Sequence, residues 1–407
     1  MDAPDSDKRR GASTRRRFLL GGAVAGVGAA AAIGLDYGIN RAAESTPSAA
    51  PPRNGDEVVP FHGTHQAGID TDAQAHATFV GLDLNADTDA DALRRLMRIL
   101  TDDAARLTQG EQALADSEPE LAMAPARLTV TFGFGPGLVA LAGGDRPTWL
   151  ASLPAFETDR LQPEFSDGDL LIQIAADDPI TVAHATRMLL KDSRSFAKVR
   201  WTQHGFRRAH GTVAPGTTMR NLFGQVDGTT NLAPGTEDFD RLVWSASGWL
   251  AGGTGAVIRR IHMDLDKWDR LDRGGREQSV GRFLHNGAPL TGENEHDEAD
   301  FTATTAIGFP VIPEFSHMRR ARSDNPDERF FRRGYNYDQP PTGEQVSDSG
   351  LIFVSFQADV DRQFVPIQRR LDELDLLNEW IAPIGSAVFA IPPGCERNGY
   401  IGETLLG

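Results

Sequence analysis

Two spacings of apolar residues alternate along the first half of the chain. Residues 76–84 (HATFVGLDL) are strand-like, and 127–134 (RLTVTFGF) repeat with a period of two. Residues 169–175 (DLLIQIA) and 197–206 (AKVRWTQHGF) predict two further strands. Between them the period lengthens. Leu93, Leu96, Met97 and Leu100 fall on one helical face within 89–107, and a second helix is predicted over 181–192.

The second half repeats this grammar. Residues 256–265 (AVIRRIHMDL) predict a strand, with a helix beginning near Asp266. The polar stretch 286–299 reads as a surface loop. Residues 330–337 (FFRRGYNY) and 351–358 (LIFVSFQA) predict strands. A long amphipathic helix is predicted over 360–380, with Phe364, Ile367, Leu371, Leu374 and Leu377 in register, and 386–391 is the last strand. The order β-α-β-β-α-β is that of a ferredoxin-like unit. The expectation is an α+β protein of two ferredoxin-like halves with antiparallel sheets, spanning 58–215 and 216–407.

Residues 1–57 read as an address and a linker. Lys8, Arg9, Arg10, Arg15, Arg16 and Arg17 precede a Gly- and Ala-rich apolar run over 18–33. That run is shorter than the ~20 residues a spanning helix needs. A basic flank with a short apolar core describes a secretory signal, and an uncleaved membrane anchor is the other reading. The segment 13–20 (STRRRFLL) resembles a twin-arginine export signal. Residues 44–57 are rich in Pro, Ser and Ala. An exported protein in the envelope, periplasm or medium is expected, with the twin-arginine machinery as a partner that carries folded, often cofactor-loaded cargo.

Composition narrows the chemistry. The chain has 407 residues, 40% hydrophobic and 24% charged, which suits a folded globular protein. A net charge of -16 argues against nucleic acid as a partner. The single cysteine, Cys395, excludes an internal disulfide, a CxxC redox pair and a CxxCH haem attachment.

Three clusters carry candidate chemistry. In 224–231 (GQVDGTTN), Asp227 stands in a glycine-rich turn that also reads as an ordinary Asx-turn loop. His317 is a lone histidine, a type that is most often structural but also ligates haem iron. Arg332 and Arg333 open 332–337 (RRGYNY), where paired arginines usually face solvent. Each is unremarkable alone. In this order and spacing they resemble the dye-decolorising peroxidases, haem enzymes built from two ferredoxin-like halves. The GxxDG motif of that family is matched by 224–228, its proximal histidine by His317, and its essential arginine by the 332–333 pair. The segments 60–69 (PFHGTHQAGI) and 350–359 (GLIFVSFQAD) extend the likeness over nearly all of 58–407.

The resemblance implies a non-covalently held haem b, in a pocket in the C-terminal half, with His317 on the iron. A carboxylate behind the histidine is expected, and the sequence does not identify it. Asp227 would shuttle a proton between the oxygens of hydrogen peroxide, and an arginine would stabilise the leaving oxygen. Of the pair, Arg333 is selected, sixteen residues after His317, and it could also reach a haem propionate. Gly228, Thr229 and Thr230 would bring backbone amides to the haem edge. Leu351 and Phe353, two apart on one strand, would wall the pocket against bulky substrates. A peroxidase would use hydrogen peroxide and a one-electron donor such as a dye or phenol. The same resemblance admits a deferrochelatase, which removes iron from intact porphyrin, and a non-catalytic haem-binding protein is the third reading. A homo-oligomer is left open. A hydrolase is disfavoured, because neither GxSxG nor HExxH occurs in the sequence.

Overall fold

The computed structural model describes residues 53–407, so the expected export signal, and all of its linker before Arg53, lie outside the described residues. Among the described residues, nine strands and their helices follow the expected order, one expected strand being divided in two. The first set is β1 (His76–Leu84), β2 (Thr129–Phe134), β3 (Leu170–Ala176) and β4 (Ala197–Phe206), hydrogen-bonded antiparallel in the order β2-β3-β1-β4. Helices Ala90–Leu107 and Pro179–Ser193 pack together on its outer face. Each starts at an aspartate: Asp89 Oδ1 accepts from Ala92 N at 2.8 Å, and Asp178 Oδ2 from Thr181 N at 3.1 Å.

Period-two alternation sorts the strand residues between two cores. Val80, Leu82, Leu170, Ile172 and Ile174 face the helices and pack with Leu93, Leu96, Met97 and Leu100. Ala77, Phe79, Leu171 and Ala175 face the opposite way, into a second core.

The second set is β5 (Thr254–Met263), β6 (Phe331–Arg332), β7 (Tyr335–Gln339), β8 (Asp348–Gln357) and β9 (Ile381–Ile391). β5 lies between β9 and β8, and β6 and β7 both pair with the other edge of β8. The two sets join at single residue pairs, Phe134 with Ala390 and Phe206 with Asn336. The expected antiparallel pairing is present, and these contacts join the two sets into one sheet. Because β5 also pairs with β8, eight strands close into one barrel-like antiparallel sheet, with β6 on its margin. Among the described residues, no helix is long and apolar enough to cross a membrane.

Two elements differ from the expectation in ways that shape the site. The strand predicted over 330–337 breaks at Arg333 and Gly334 into β6 and β7. The helix predicted over 360–380 stops at Leu374. Asp375 is extended in ψ, and its carboxylate accepts from Leu377 N at 2.9 Å, starting the 3-10 turn Leu376–Glu379.

Near the two outer helices, Asp192 sits beside Asp103, a carboxylate only 1% exposed that accepts from Leu114 N at 2.8 Å. Burial, then the Asp103 hydrogen bond and charge, push Asp192 up to about 7. The folded protein thus binds a proton that an unfolded aspartate, at ~3.9, releases. This contribution is fully present below pH ~4 and is lost as pH rises through about 7. Denaturant unfolding between pH 5 and 8 is expected to show a flatter pH dependence in Asp192→Asn than in wild type. Parallel curves would refute this.

Candidate active site

A cavity of about 650 Å³ lies on the outer face of the second strand set, within the size range of small-molecule and cofactor sites. Its floor is the outward face of β5, β8 and β9, where Ile261 is registered with Leu351 and Arg259 with Phe353. Phe364, Ile367 and Leu371 of helix Val360–Leu374 close another side. Leu351 and Phe353, two apart on β8 and so on one face of it, both line the cavity.

Asp227 stands in a turn bracketed by glycines in the left-handed half of backbone space, Gly224 at φ +80° and Gly228 at φ +134°. An isolated bridge between Arg220 and Val226 and a bond from Asp227 N to Met219 O at 2.8 Å hold the turn. The carboxylate has two partners: Arg332 Nη2 lies 2.9 Å from Oδ1, and Asn221 Nδ2 donates to Oδ2 at 3.3 Å. Asn221 is itself locked, accepting from Phe223 N and Gln225 N and donating to Gln225 Oε1. Gly228, Thr229 and Thr230 continue the cavity wall, and the Thr229 hydroxyl donates to Glu295 Oε1 at 3.0 Å.

The arginine assignment is corrected. Arg332, not Arg333, lines the cavity and pairs with Asp227. Asn231 grips the Arg332 backbone from both sides, accepting from its N–H at 2.7 Å and donating to its carbonyl at 2.8 Å. Arg333 points to the opposite face of the chain and is 2% exposed. Its guanidinium donates to the carbonyls of Ile69, Thr71 and Asp72 and, at 2.7 Å, to Gln74 Oε1. Alternation explains the swap: Phe331, Arg333, Tyr335 and Tyr337 share the buried face, whereas Arg332 is registered with Ser355 on the Leu351–Phe353 face.

His317 opens the short helix His317–Ala321 and lines the same cavity. Its Nδ1–H donates to Asp375 Oδ2 at 2.6 Å, and the Asp375 side chain is 1% exposed. Burial disfavours the imidazolium, but the charge and hydrogen bond of Asp375 outweigh it and hold the His317 pKa above its ordinary value. With Nδ1 committed to Asp375, Nε2 is the nitrogen left for a ligand.

Sequence reasoning missed Asp375, Asn221, Asn231 and Glu295. Asn231 was within the stretch singled out, and the Asp-Leu-Leu-Asn run at 375–378 carries an N-cap signal that argued against one continuous helix. Glu295 falls in the expected surface loop, part of which turns out to line the cavity.

The donor set suits haem. An imidazole backed by a buried carboxylate offers Nε2 to iron, apolar side chains flank it, and an aspartate and an arginine share the cavity.

Comparison with known proteins agrees. The family model described as Dyp-type peroxidase, N-terminal, matches residues 66–207, and that described as Dyp-type peroxidase, C-terminal, matches 218–396. A dye-decolorizing peroxidase of Thermobifida fusca (strain YX) is 37% identical over 436 residues, covering 100% of both chains. A deferrochelatase of Shigella sonnei (strain Ss046) is 34% identical over 420 residues, 97% of each. The crystal structure of a DyP-type peroxidase from Cellulomonas bogoriensis superposes with a TM-score of 0.85 at 53% identity, covering 87% of this chain and 99% of that one.

Proposed function

Because this chain belongs to the Dyp-type peroxidase family and is a haem peroxidase, we propose that it holds haem b without covalent bonds in the cavity beside His317. When bound, the haem supplies the redox centre that delivers electrons from a reducing substrate, such as a dye or phenol, to hydrogen peroxide. The observation that carries the reading is the Asp227–Arg332 pair at 2.9 Å, in one cavity with a histidine braced by Asp375.

The side chains divide the work. His317 Nε2 would hold the iron, while Asp375 keeps the proton on Nδ1, orients the ring and makes the nitrogen a more basic ligand. The Asp227 carboxylate takes a proton from one peroxide oxygen and returns it to the other. The Arg332 guanidinium stabilises negative charge on the departing oxygen and steadies Asp227 through their ion pair. The Gly228-Thr229-Thr230 turn lines the cavity and would flank the cofactor, and Leu351 and Phe353 would keep bulky donors out.

The architecture fits a repeat. Numbered within its own set, each half places its strands fourth, first, third, second, with β6 and β7 together filling the second place. This supports reading the fold as two ferredoxin-like units that meet near residues 215 and 216, with the haem site in the second. The basic and apolar pattern of the first 33 residues supports export by the twin-arginine route to an envelope, periplasmic or extracellular location.

The likeness to the Shigella sonnei deferrochelatase favours one second reading, release of iron from haem with the porphyrin intact. An absorption spectrum of the purified protein tests both. A Soret band that shifts with peroxide, with dye bleached and haem retained, is expected. Metal-free protoporphyrin as the product would transfer the assignment to iron release. A protein that takes up no porphyrin would end both readings.

A further inference from the structure

The segment 293–301 crosses the cavity margin outside any helix or strand, between the isolated bridges Arg282–Pro289 and Thr304–Pro310. Glu295, Asp297, Glu298 and Phe301 are among the residues that line the cavity. Its tethers run to both walls. On the Asp227 side, Glu295 Oε1 accepts from the hydroxyls of Thr229 and Thr218, and Arg282 Nη1 donates to Glu295 O at 2.9 Å. On the His317 side, Arg319 Nη1 donates to Phe301 O at 3.2 Å. The Phe301 ring lies 5.6 Å from the guanidinium carbons of both Arg319 and Arg322. Glu298 also pairs with Arg322 at 2.6 Å, but both side chains are largely exposed, so that link is weak.

Within the segment the bonds are local. The Asp297 carboxylate accepts from Glu293 N at 2.8 Å and Asn294 N at 2.9 Å. The piece can therefore swing as a unit, breaking a few side-chain tethers while its own turn persists.

We propose that residues 293–301 form a strap that opens to let a porphyrin enter or leave the cavity. Glu295 latches it to the Asp227 turn, and Phe301 latches it to the arginines that follow His317. This rests on the haem reading of the cavity. Its kinetic signature is distinct from that of an ordinary wall contact. A gate is a barrier common to both directions, so loosening it speeds uptake and loss together and leaves equilibrium affinity nearly unchanged. Removing a wall contact weakens binding and speeds loss alone.

The test uses the Soret band to follow haem uptake by the apo-protein and haem loss from the holo-protein to excess apomyoglobin. Glu295→Ala and Phe301→Ala are compared with wild type and with Arg187→Gln, which cuts an exposed ion pair to Glu118 elsewhere on the surface. Glu295→Ala is expected to raise both rates about tenfold, the scale of one lost hydrogen bond to a charged group, and Phe301→Ala, which keeps the carbonyl bond to Arg319 and loses only the ring, about two- to fivefold, the scale of an exposed cation–π contact, with Arg187→Gln unchanged. Glu298→Gln should act in the same direction more weakly, and it substitutes if a larger truncation fails to fold. Faster loss without faster uptake, or exchange unchanged in every variant, would overturn the strap while leaving the haem assignment standing. A wild-type protein that takes up no haem would overturn both.

Discussion

Arg332→Ala is expected to lower kcat/KM for hydrogen peroxide by ~10²–10³-fold, the usual effect of removing one preorganised charge-stabilising donor. Haem should remain bound, because the His317–Asp375 pair is held by its own hydrogen bond and Arg332 pairs with Asp227 instead. The melting temperature should change little: the Arg332 side chain is 28% exposed, and the carboxylate it leaves behind keeps Asn221 as a partner. Arg333→Ala should do the reverse. It empties the place of a guanidinium that is 2% exposed and strips a donor from Ile69, Thr71, Asp72 and Gln74. Hydrogen bonds to a charged group contribute ~1.5–3 kcal/mol each, so a loss of several kcal/mol of stability is expected. Whatever Arg333→Ala protein folds should keep near wild-type peroxide turnover per bound haem. Steady-state kinetics and thermal unfolding of the two variants side by side decide the matter. If Arg333→Ala abolished turnover in a stable, haem-loaded protein and Arg332→Ala did not, the cavity-face assignment would be wrong.

Asp227→Asn should reduce peroxide-dependent oxidation by ~10²–10⁴-fold, the range attributed to a positioned proton-transfer group. Asparagine nearly preserves the shape of aspartate, and its amide oxygen can still accept from Arg332, so packing and haem content should survive. It cannot take a proton from peroxide at ordinary pH. The deficit should therefore appear with every reducing substrate, because it lies in the step they share, and extra reductant should not relieve it. Transient kinetics on adding peroxide, read from the Soret band, isolate that step. A wild-type rate there would remove Asp227 from the mechanism.

Local patterning was sufficient for much of this molecule. β1 and β4 span the residues that their apolar pattern predicted, and the face predicted for Leu93, Leu96, Met97 and Leu100 is the buried face. The glycines at 224 and 228 mark a turn whose backbone they alone adopt easily, and the turn is where it was expected. Even the arginine choice had a local signal. Of the four aromatic residues in 330–337, three (331, 335 and 337) have odd numbers and share the buried face with Arg333, while Phe330 falls with Arg332 on the cavity side. Spacing from His317 selects Arg333, whereas parity along the strand selects Arg332.

Consecutive residues could thus establish periods, turns and the face each side chain takes, because these depend on backbone sterics and on neighbours within a few positions. They could not establish that two single pairs, Phe134 with Ala390 and Phe206 with Asn336, close the strands into one sheet. Nor could they bring Asp375, 58 positions away, to within 2.6 Å of the His317 ring, or fold part of a polar loop over the cavity. Those outcomes depend on which long-range packing satisfies buried groups, and no local period carries that information.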